Sequence, residues 1–415
     1  MQVNPPVPEA PPYDAARLFT GSCVALVVIG LTFAIRGDII GALGTQFQLT
    51  HEQLGWIAGA AFWGYVLSIL IAGQLCDVLG MRRLLGLACI GHSAGIVLTI
   101  FAGGFWSLWL ATLGIGIANA LLEAAINPLV ATIYPDQKTQ KLNAVHAWFP
   151  WGIVIGGFLA YGLTRLEMGW QIKMAMVLVP TIAYGLIYFG QKFPVTERIQ
   201  HGVRTSEMYR EAIRPRFLVL LFCMLLTAST ELGPNQWIPD ILTKTAHFPG
   251  ILILAWINSI MAIGRMLAVP VVRRLSPVGL LLAAATLSAV GLLGLSLTES
   301  GAGALAASTV FAFGVCYFWP TMLGVTSEWF PAGGALLLAI IGGAGNLSVA
   351  LILPVMGRIY DVEGSQLALR YVAILPVALI GIFGMTWILD RAKGGHQSVR
   401  LAAGANSTGL TSGSQ

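Results

Sequence analysis

Apolar residues fill twelve long stretches of the chain, and short polar segments separate them. Each stretch is about 20 residues long, the length that an α-helix needs to cross the hydrocarbon core of a bilayer. The predicted helices cover residues 18–43, 53–74, 83–103, 105–131, 143–164, 171–191, 216–242, 250–270, 278–298, 302–325, 334–357 and 370–390. The pattern therefore predicts an all-α membrane protein with twelve transmembrane helices.

A charged segment divides these helices into two sets of six, and a weak repeat relates the sets. Tyr134-Pro135 after the fourth helix matches Phe330-Pro331 after the tenth, at an offset of 196 residues. Two six-helix pseudo-repeats that hold a solute between them near mid-membrane are the layout of the major facilitator fold. The predicted parts are an N-terminal tail (1–17), an N-terminal half (18–191), a linker (192–215), a C-terminal half (216–390) and a C-terminal tail (391–415).

Composition and charge agree with a membrane protein. The chain is 56% hydrophobic and only 10% charged, a balance that excludes a soluble domain. Most of its 23 Lys and Arg residues fall in loops and tails on the side of the two chain ends. Cytoplasmic loops are enriched in these residues, so both termini are predicted to be cytoplasmic, in a cell (inner) membrane protein. This loop bias accounts for the net charge of +5, and no basic patch indicates nucleic acid binding.

The loop between the second and third helices reads GQLCDVLGMRR. It resembles the motif that the major facilitator superfamily carries in this loop, through Gly73, Asp77, Gly80, Arg82 and Arg83. We interpret these residues as a cytoplasmic gate. Its glycines would let helices approach closely, and its Asp would pair with a helix end or a basic side chain. A positively charged cytoplasmic loop that contains a chance Asp is the alternative.

Five charged side chains lie within the apolar stretches: Arg36, Asp38, Glu123, Glu231 and Arg265. A charge at lipid depth is costly, so it usually has a function and faces the bundle interior or a wet cavity. Glu123 shares a helix face with an Asn four residues later, whereas Arg36 and Asp38 are two residues apart and point in different directions. For Asp38, a solvated position near the membrane surface stays open as an alternative.

Glu231 lies in the middle of the seventh helix, beside a Gly-Pro pair that predicts an interruption of the helix lining a cavity. A kink with satisfied amides is the alternative. Asn235, Gln236 and Trp237 follow directly and suit hydroxyl bonding and ring stacking. Arg265 is expected either to extend toward the cytoplasmic face or to pair with an acidic residue.

Two histidines lie in apolar stretches. His146 begins the fifth helix together with Asn143 and Trp148, whereas His92 is predicted to be a packed core residue. No spacing of His, Cys or carboxylates indicates a metal site, and no Walker loop is present. We therefore expect no metal, no cofactor and no ATP hydrolysis. A buried carboxylate that gains and loses a proton is the simplest device for coupling to an ion gradient.

Together these residues resemble the fucose–proton symporter family of the major facilitators. The segment EAAINP matches that family's Glu-xxx-Asn-Pro, which implies that Glu123 contacts substrate and is linked to the proton. The first helix resembles the family's Asp-bearing helix if one residue is dropped, which implies a proton-linked Asp38. The segment KLNAVHAWFPWG resembles the fifth helix, but His146 and Phe149 replace a Gln and an Asn, and Arg36 replaces a Trp.

The resemblance and the intramembrane acids predict a secondary active transporter: proton-coupled symport of a monosaccharide or similar small polar solute by alternating access. Asp38 and Glu123 are predicted to carry the proton. The predicted substrate-binding residues are Glu123, Asn127, Asn143, His146, Glu231, Asn235, Gln236, Trp237, Trp319 and Asn346. The expected partners are a small molecule of the sugar class, protons rather than sodium, and the lipid bilayer. We expect a monomer without enzymatic activity.

A proton-coupled exporter of amphipathic or anionic compounds is the second hypothesis. Large apolar side chains would then form a pocket, and Arg36 would suit an acidic ligand. These side chains are Phe62, Trp63, Trp148, Phe149, Trp256 and Phe318. A sensor or scaffold without transport is disfavoured, because no predicted segment outside the membrane is large enough to signal.

Overall fold

The computed structural model describes residues 13–134, 141, 144–194, 210–267, 271, 274–330 and 334–392, and their regular structure is helical. The first helices are α1 (Ala15–Phe47), α2 (His51–Leu79), α3 (Met81–Ile100), α4 (Phe105–Ile133), α5 (Trp148–Arg165), α6 (Trp170–Met176) and α7 (Leu178–Tyr188). After the linker come α8 (Pro215–Thr245), α9 (Gly250–Met266), α10 (Pro277–Leu297), α11 (Gly301–Val315), α12 (Phe318–Trp329), α13 (Gly334–Glu363), α14 (Ser365–Val372) and α15 (Ile374–Ala392).

These helices account for the twelve predicted membrane crossings. Within the described residues, ten helical stretches are long and apolar enough to cross a membrane, and α9 is a shorter apolar helix. α2, with 29 residues, has the length for a further crossing. Three crossings consist of two successive helices each, namely α6 with α7, α11 with α12, and α14 with α15.

Local signals fix where α1 ends and α2 begins. Gln48 ends α1 in the left-handed conformation, and its N–H donates to the carbonyl of Gly44. Thr50 begins α2 with a reciprocal cap, because its hydroxyl accepts from the Gln53 N–H while the Gln53 side chain accepts from the Thr50 N–H. The short link forces α1 and α2 to run in opposite directions.

The predicted interruption of the seventh helix is wrong. α8 continues without a break through Pro234 and Pro239. Residues 227–239 are all buried, so an interrupted helix would leave backbone groups away from water. Pro234 and Pro239 have no N–H, so the carbonyls of Thr230 and Asn235, four residues earlier, each lose their helical donor.

The two helix sets meet along α2 with α13, α5 with α9, and α1 with α8. We call the end of the bundle where α1 begins the N-terminal face and the opposite end the far face. A Cβ on Gly59 of α2 would lie 2.9 Å from the carbonyl oxygen of Ala350, and one on Gly157 of α5 would lie 2.9 Å from the Ala255 Cβ. These positions lie in the part of each helix nearer the far face, so the two sets are closed against each other there.

A glycine also sets the packing of α2 against α4, and it provides a stability prediction. A Cβ on Gly116 would collide with the backbone carbonyl of Ala61, whereas a Cβ on Gly114 of the same helix would meet nothing within 4 Å. We expect Gly116→Val to lower the melting temperature of the purified protein, because overpacking costs about 1–3 kcal/mol. Gly114→Val is the matched control, and equal melting temperatures for the two variants would contradict the prediction.

Candidate functional site

The polar group in the first helix set centres on Glu123. The Tyr65 hydroxyl donates to Glu123 Oε2 at 2.7 Å. One turn along α4, Asn127 Oδ1 and His146 Nε2 share a hydrogen bond of 2.8 Å. Glu123 lies ten residues before the end of α4 at Ile133, about 15 Å by helix rise, which is mid-membrane depth. The structure therefore brings three predicted site residues together and adds Tyr65, which the sequence did not single out.

The polar group in the second helix set is an ion pair. Arg265 Nη2 donates to Glu231 Oε1 at 3.0 Å, and Arg265 Nε donates to the Cys316 carbonyl at 2.9 Å. Of the two alternatives for Arg265, the structure shows pairing with an acid. Glu231 Oε2 and, one turn later, Asn235 Oδ1 are buried and have no hydrogen-bond partner within the described residues. Two acceptors of this kind require donors from water or from a ligand.

The two polar groups lie close to each other. His146 interacts electrostatically with both Glu123 and Arg265, and its helix α5 packs against α9, which carries Arg265. We call these residues the central cluster: Tyr65, Glu123, Asn127, His146, Glu231 and Arg265. The cluster combines carboxylates, an imidazole, an amide and a guanidinium from both helix sets, so it can bind polar groups and exchange protons.

Asp38 lies in a second ion pair, on the far-face side of α1. Lys173 Nζ donates to Asp38 Oδ2 at 2.6 Å and to Thr164 Oγ1 at 2.7 Å. The Asp38 side chain is only 11% exposed, so the alternative of a solvated carboxylate is wrong. Lys173 is buried on α6, and the sequence analysis did not single it out. The position of this lysine within the apolar segment WQIKMAM was the sequence feature that could have indicated its burial.

Arg36 points away from Asp38, as the spacing predicts. Arg36 Nε donates to Gln236 Oε1 at 3.0 Å, and Gln236 Nε2 donates to the Phe33 carbonyl at 3.3 Å. The guanidinium lies 5.7 Å from the ring centres of both Phe33 and Phe62. This contact joins α1 to α8, and Gln236 is therefore a neighbour of Arg36 rather than of the central cluster.

Within the described part of the chain, Trp237, Trp319 and Asn346 make no hydrogen bond with the central cluster. Trp237 is buried on the far-face side, where its Nε1 donates to the Leu353 carbonyl at 3.3 Å and its ring contacts His51 and Tyr360. Asn346 Nδ2 donates to the carbonyl of Gly342, one turn earlier in α13. Trp319 lies beside α13, at Gly345, and Asn143 lies outside the described residues.

The structure describes the side chains of only some residues of the predicted cytoplasmic gate. Gly80 has a φ of +81°, and a Cβ there would meet nothing within 4 Å. In this structure Gly80 therefore ends α2 through its backbone conformation, and no neighbouring helix among the described residues lies against it. Arg82 and Arg83 are exposed, whereas the surroundings of Gly73 and Asp77 lie outside the described residues.

The structure also places the other side chains that the sequence analysis discussed. His92 is a packed core histidine, as predicted, with Tyr184 and Asn119 as hydrogen-bond partners. Of the six apolar residues of the exporter hypothesis, Phe318 is fully buried and Trp256 is exposed. Within the described residues, no group of three or more His, Cys, Asp or Glu could hold a metal ion.

Comparison with known proteins shows similarity to transporters. The model of the Major Facilitator Superfamily matches residues 21–311. The chain is 26% identical to a D-xylose transporter of Levilactobacillus brevis over 166 residues, which are 39% of this chain and 36% of that protein. It is 24% identical to a 3-(3-hydroxy-phenyl)propionate transporter of Escherichia coli over 258 residues, which are 58% of this chain and 61% of that protein. The chain thus spans about a third of the first relative's length and three fifths of the second's.

A solved structure with a similar fold is the inward open conformation of the xylose transporter XylE from Escherichia coli. The TM-score is 0.76 and the sequence identity is 14%, and the match covers 89% of this chain and 96% of that chain. At this identity the likeness concerns the fold alone.

Proposed function

The chain belongs to the Major Facilitator Superfamily, and on that basis we propose that it is a proton-coupled symporter of a monosaccharide or similar small polar solute. Membership makes it a multi-pass membrane transporter and not an enzyme, and the predicted fold of twelve transmembrane helices in two pseudo-repeats is confirmed. The coupling ion and the solute are the proposed part.

The observation that carries the proposal is the position of Glu123. Its carboxylate lies at mid-membrane depth, accepts a hydrogen bond from Tyr65, and interacts electrostatically with His146. A carboxylate in hydrocarbon is stable either when it is protonated or when water and donors surround it. We infer that Glu123 binds a proton while the surrounding cavity is closed and releases it when the cavity opens to the cytoplasm.

Asp38 is the second residue that we propose to carry a proton. Its ion pair with Lys173 joins α1 to α6, and the pair is almost buried. Protonation of Asp38 would leave Lys173 as a buried charge without a counterion, which is unfavourable. A change of charge at Asp38 would therefore change the packing of α1 against α6, and α1 is one of the helices that contact the second set.

The proposed solute is polar and hydroxylated. Glu231 Oε2 and Asn235 Oδ1 are buried acceptors without donors in the described part of the chain, and hydroxyl groups are suitable donors. Asn127 and His146 add an amide and an imidazole on the opposite side. The D-xylose transporter among the relatives and the resemblance of EAAINP to the fucose–proton symporter family support a sugar-like solute.

We further propose that both termini are cytoplasmic, in an inner membrane, and that residues 18–191 and 216–390 move as two halves. The contacts between the helix sets at the far face then correspond to a state that is closed to the outside. Alternating access would open these contacts and close the N-terminal face around the solute.

Transport by the purified protein in vesicles tests the proposal. We expect an inward pH gradient to drive accumulation of a labelled monosaccharide, and a protonophore to abolish it. A sodium gradient in place of the pH gradient should drive no accumulation. Sodium-driven uptake, or export of solute when the outside is acidic, would contradict proton symport.

A further inference from the structure

Among the described residues, three basic side chains that are buried or half-buried lie within the transmembrane helices, and two of them have acidic partners. Lys173 pairs with Asp38 at 2.6 Å and Arg265 pairs with Glu231 at 3.0 Å. Arg36, which is 8% exposed, has no carboxylate within 4 Å among the described residues. Because an isolated buried charge is costly, a retained one is expected to have a partner that arrives from elsewhere.

The contacts of Arg36 fix its guanidinium group and leave its two terminal nitrogens free. Gln236 holds the Nε–H at 3.0 Å, and the Phe33 carbonyl orients the Gln236 amide. A side chain at Gly37 would collide with Gln236, since a Cβ there would lie 2.7 Å from Gln236 Nε2. The two terminal nitrogens have no hydrogen-bond partner among the described residues. A guanidinium held through Nε presents these nitrogens as a fork that matches a carboxylate.

The surroundings of Arg36 do not neutralise its charge. The Phe33 and Phe62 rings flank the guanidinium, and such contacts contribute only about 0.5–2 kcal/mol. A cavity of about 20 Å³ beside Arg36 is lined by Thr32, Thr99, Thr112 and apolar side chains. Its volume suffices for one water molecule, which solvates a charge without balancing it.

We propose that Arg36 determines specificity by binding a carboxylate of the transported solute, so that the substrate is a small hydroxylated acid rather than a neutral sugar. The inference rests on the proposed function and narrows it. The free N–H groups of Arg36 bind the carboxylate of the solute. The carboxylate supplies the negative charge that Arg36 lacks.

A carboxylate on the solute changes the net charge that crosses the membrane with each proton. A monoanion that enters with one proton carries no net charge, whereas a neutral sugar that enters with one proton carries one positive charge. Uptake of the acid should therefore respond to the pH gradient and not to the membrane potential, while sugar uptake would respond to both.

The test uses the full chain in vesicles and two pairs of probes that differ by a carboxylate: D-glucuronate with D-glucose, and 3-hydroxybenzoate with 3-hydroxybenzyl alcohol. We expect the acid of at least one pair to be taken up at least tenfold faster than its neutral partner. Arg36→Gln should remove this preference, Arg36→Lys should retain part of it, and Arg165→Gln, at an exposed arginine, should leave it unchanged.

A stability measurement separates binding from a structural role. If Arg36 serves the ligand, Arg36→Gln should keep or raise the melting temperature without ligand and lose the increase caused by the acid. A lower melting temperature with the acid-induced increase intact would overturn the proposal. Proton-driven uptake of a neutral probe that Arg36→Gln leaves unchanged would overturn it and retain the proposed symport. Absence of proton-driven uptake for all four probes would overturn both.

Discussion

Replacing Glu123 with Gln is expected to abolish accumulation of solute against its gradient while leaving solute exchange intact. Gln has the shape of Glu and can still accept the hydrogen bond that Tyr65 donates at 2.7 Å. It cannot bind and release a proton between pH 5 and 8. The cavity would therefore close around a permanently neutral side chain, and the movement of solute would lose its link to the proton gradient.

The size of the effect follows from the free energy of the gradient. One pH unit is worth about 1.4 kcal/mol per proton, which supports about tenfold accumulation at one proton per solute. With the membrane potential clamped at zero, the unmodified protein should reach this ratio in vesicles, and Glu123→Gln should reach about 1. Counterflow of labelled solute should persist in the variant, because exchange does not require net proton movement.

Glu299→Gln is the matched control, since Glu299 is an exposed acid between α10 and α11. It should accumulate solute like the unmodified protein. Tenfold accumulation by Glu123→Gln would contradict the assignment. If Asp38→Asn alone lost accumulation, the coupling would belong to the Asp38–Lys173 pair instead.

The helices and one face of the site could be predicted from the sequence because they depend on local spacing. Apolar runs of about 20 residues located the crossings to within a few residues. The i, i+4 spacing placed Glu123 and Asn127 on one face, and the structure adds His146 to that face. The cost of a buried charge made an acid partner one of two alternatives for Arg265, and the structure shows that partner.

The partners of these residues could not be predicted, because they come from distant parts of the chain. Tyr65 reaches Glu123 across 58 positions, Lys173 reaches Asp38 across 135, and Gln236 reaches Arg36 across 200. Such contacts depend on how helices pack, and hydropathy carries no information on that packing. The same limit explains the wrong prediction at Pro234, where a local rule gave way to burial of the whole segment.

A second large effect is expected at the far face, where Asp361 of α13 caps the beginning of α2. Asp361 Oδ1 accepts from the His51 N–H at 2.9 Å, and Oδ2 accepts from the Glu52 N–H at 2.8 Å. These N–H groups have no partner within their own helix. The Asp361 carboxylate thus binds the N-terminus of α2, which is the positive end of that helix dipole. It also lies near the C-terminus of its own helix, where the negative end of the dipole disfavours a carboxylate.

Neighbouring contacts strengthen this connection between the two helix sets. The His51 ring stacks on Tyr360 with 3.8 Å between centres, and the Tyr360 hydroxyl donates to Asp240 Oδ2 at 3.1 Å. Asp240 also accepts from Lys244 at 2.8 Å. Opening the far face must separate His51 from Asp361, so the strength of this cap helps to set the balance between the closed and open states.

Asp361→Asn is therefore expected to shift the protein toward a state that is open at the far face. Loss of the charged acceptor should cost the closed state about 2 kcal/mol, since a hydrogen bond to a charged group contributes about 1.5–3 kcal/mol. This corresponds to about a 30-fold change in the equilibrium. Distances between spin labels at Leu166 and Glu299, two exposed far-face positions in different helix sets, would report the opening after replacement of the native cysteines.

Glu363→Gln provides the control on the same helix. Glu363 is exposed and accepts from Tyr371 within its own helix set at 2.8 Å, so its replacement should leave the label distances unchanged. The two variants lie two residues apart and each removes one negative charge, so general electrostatic effects are nearly matched. Identical distance distributions for Asp361→Asn and the unmodified protein would show that helix packing, and not this cap, keeps the far face closed.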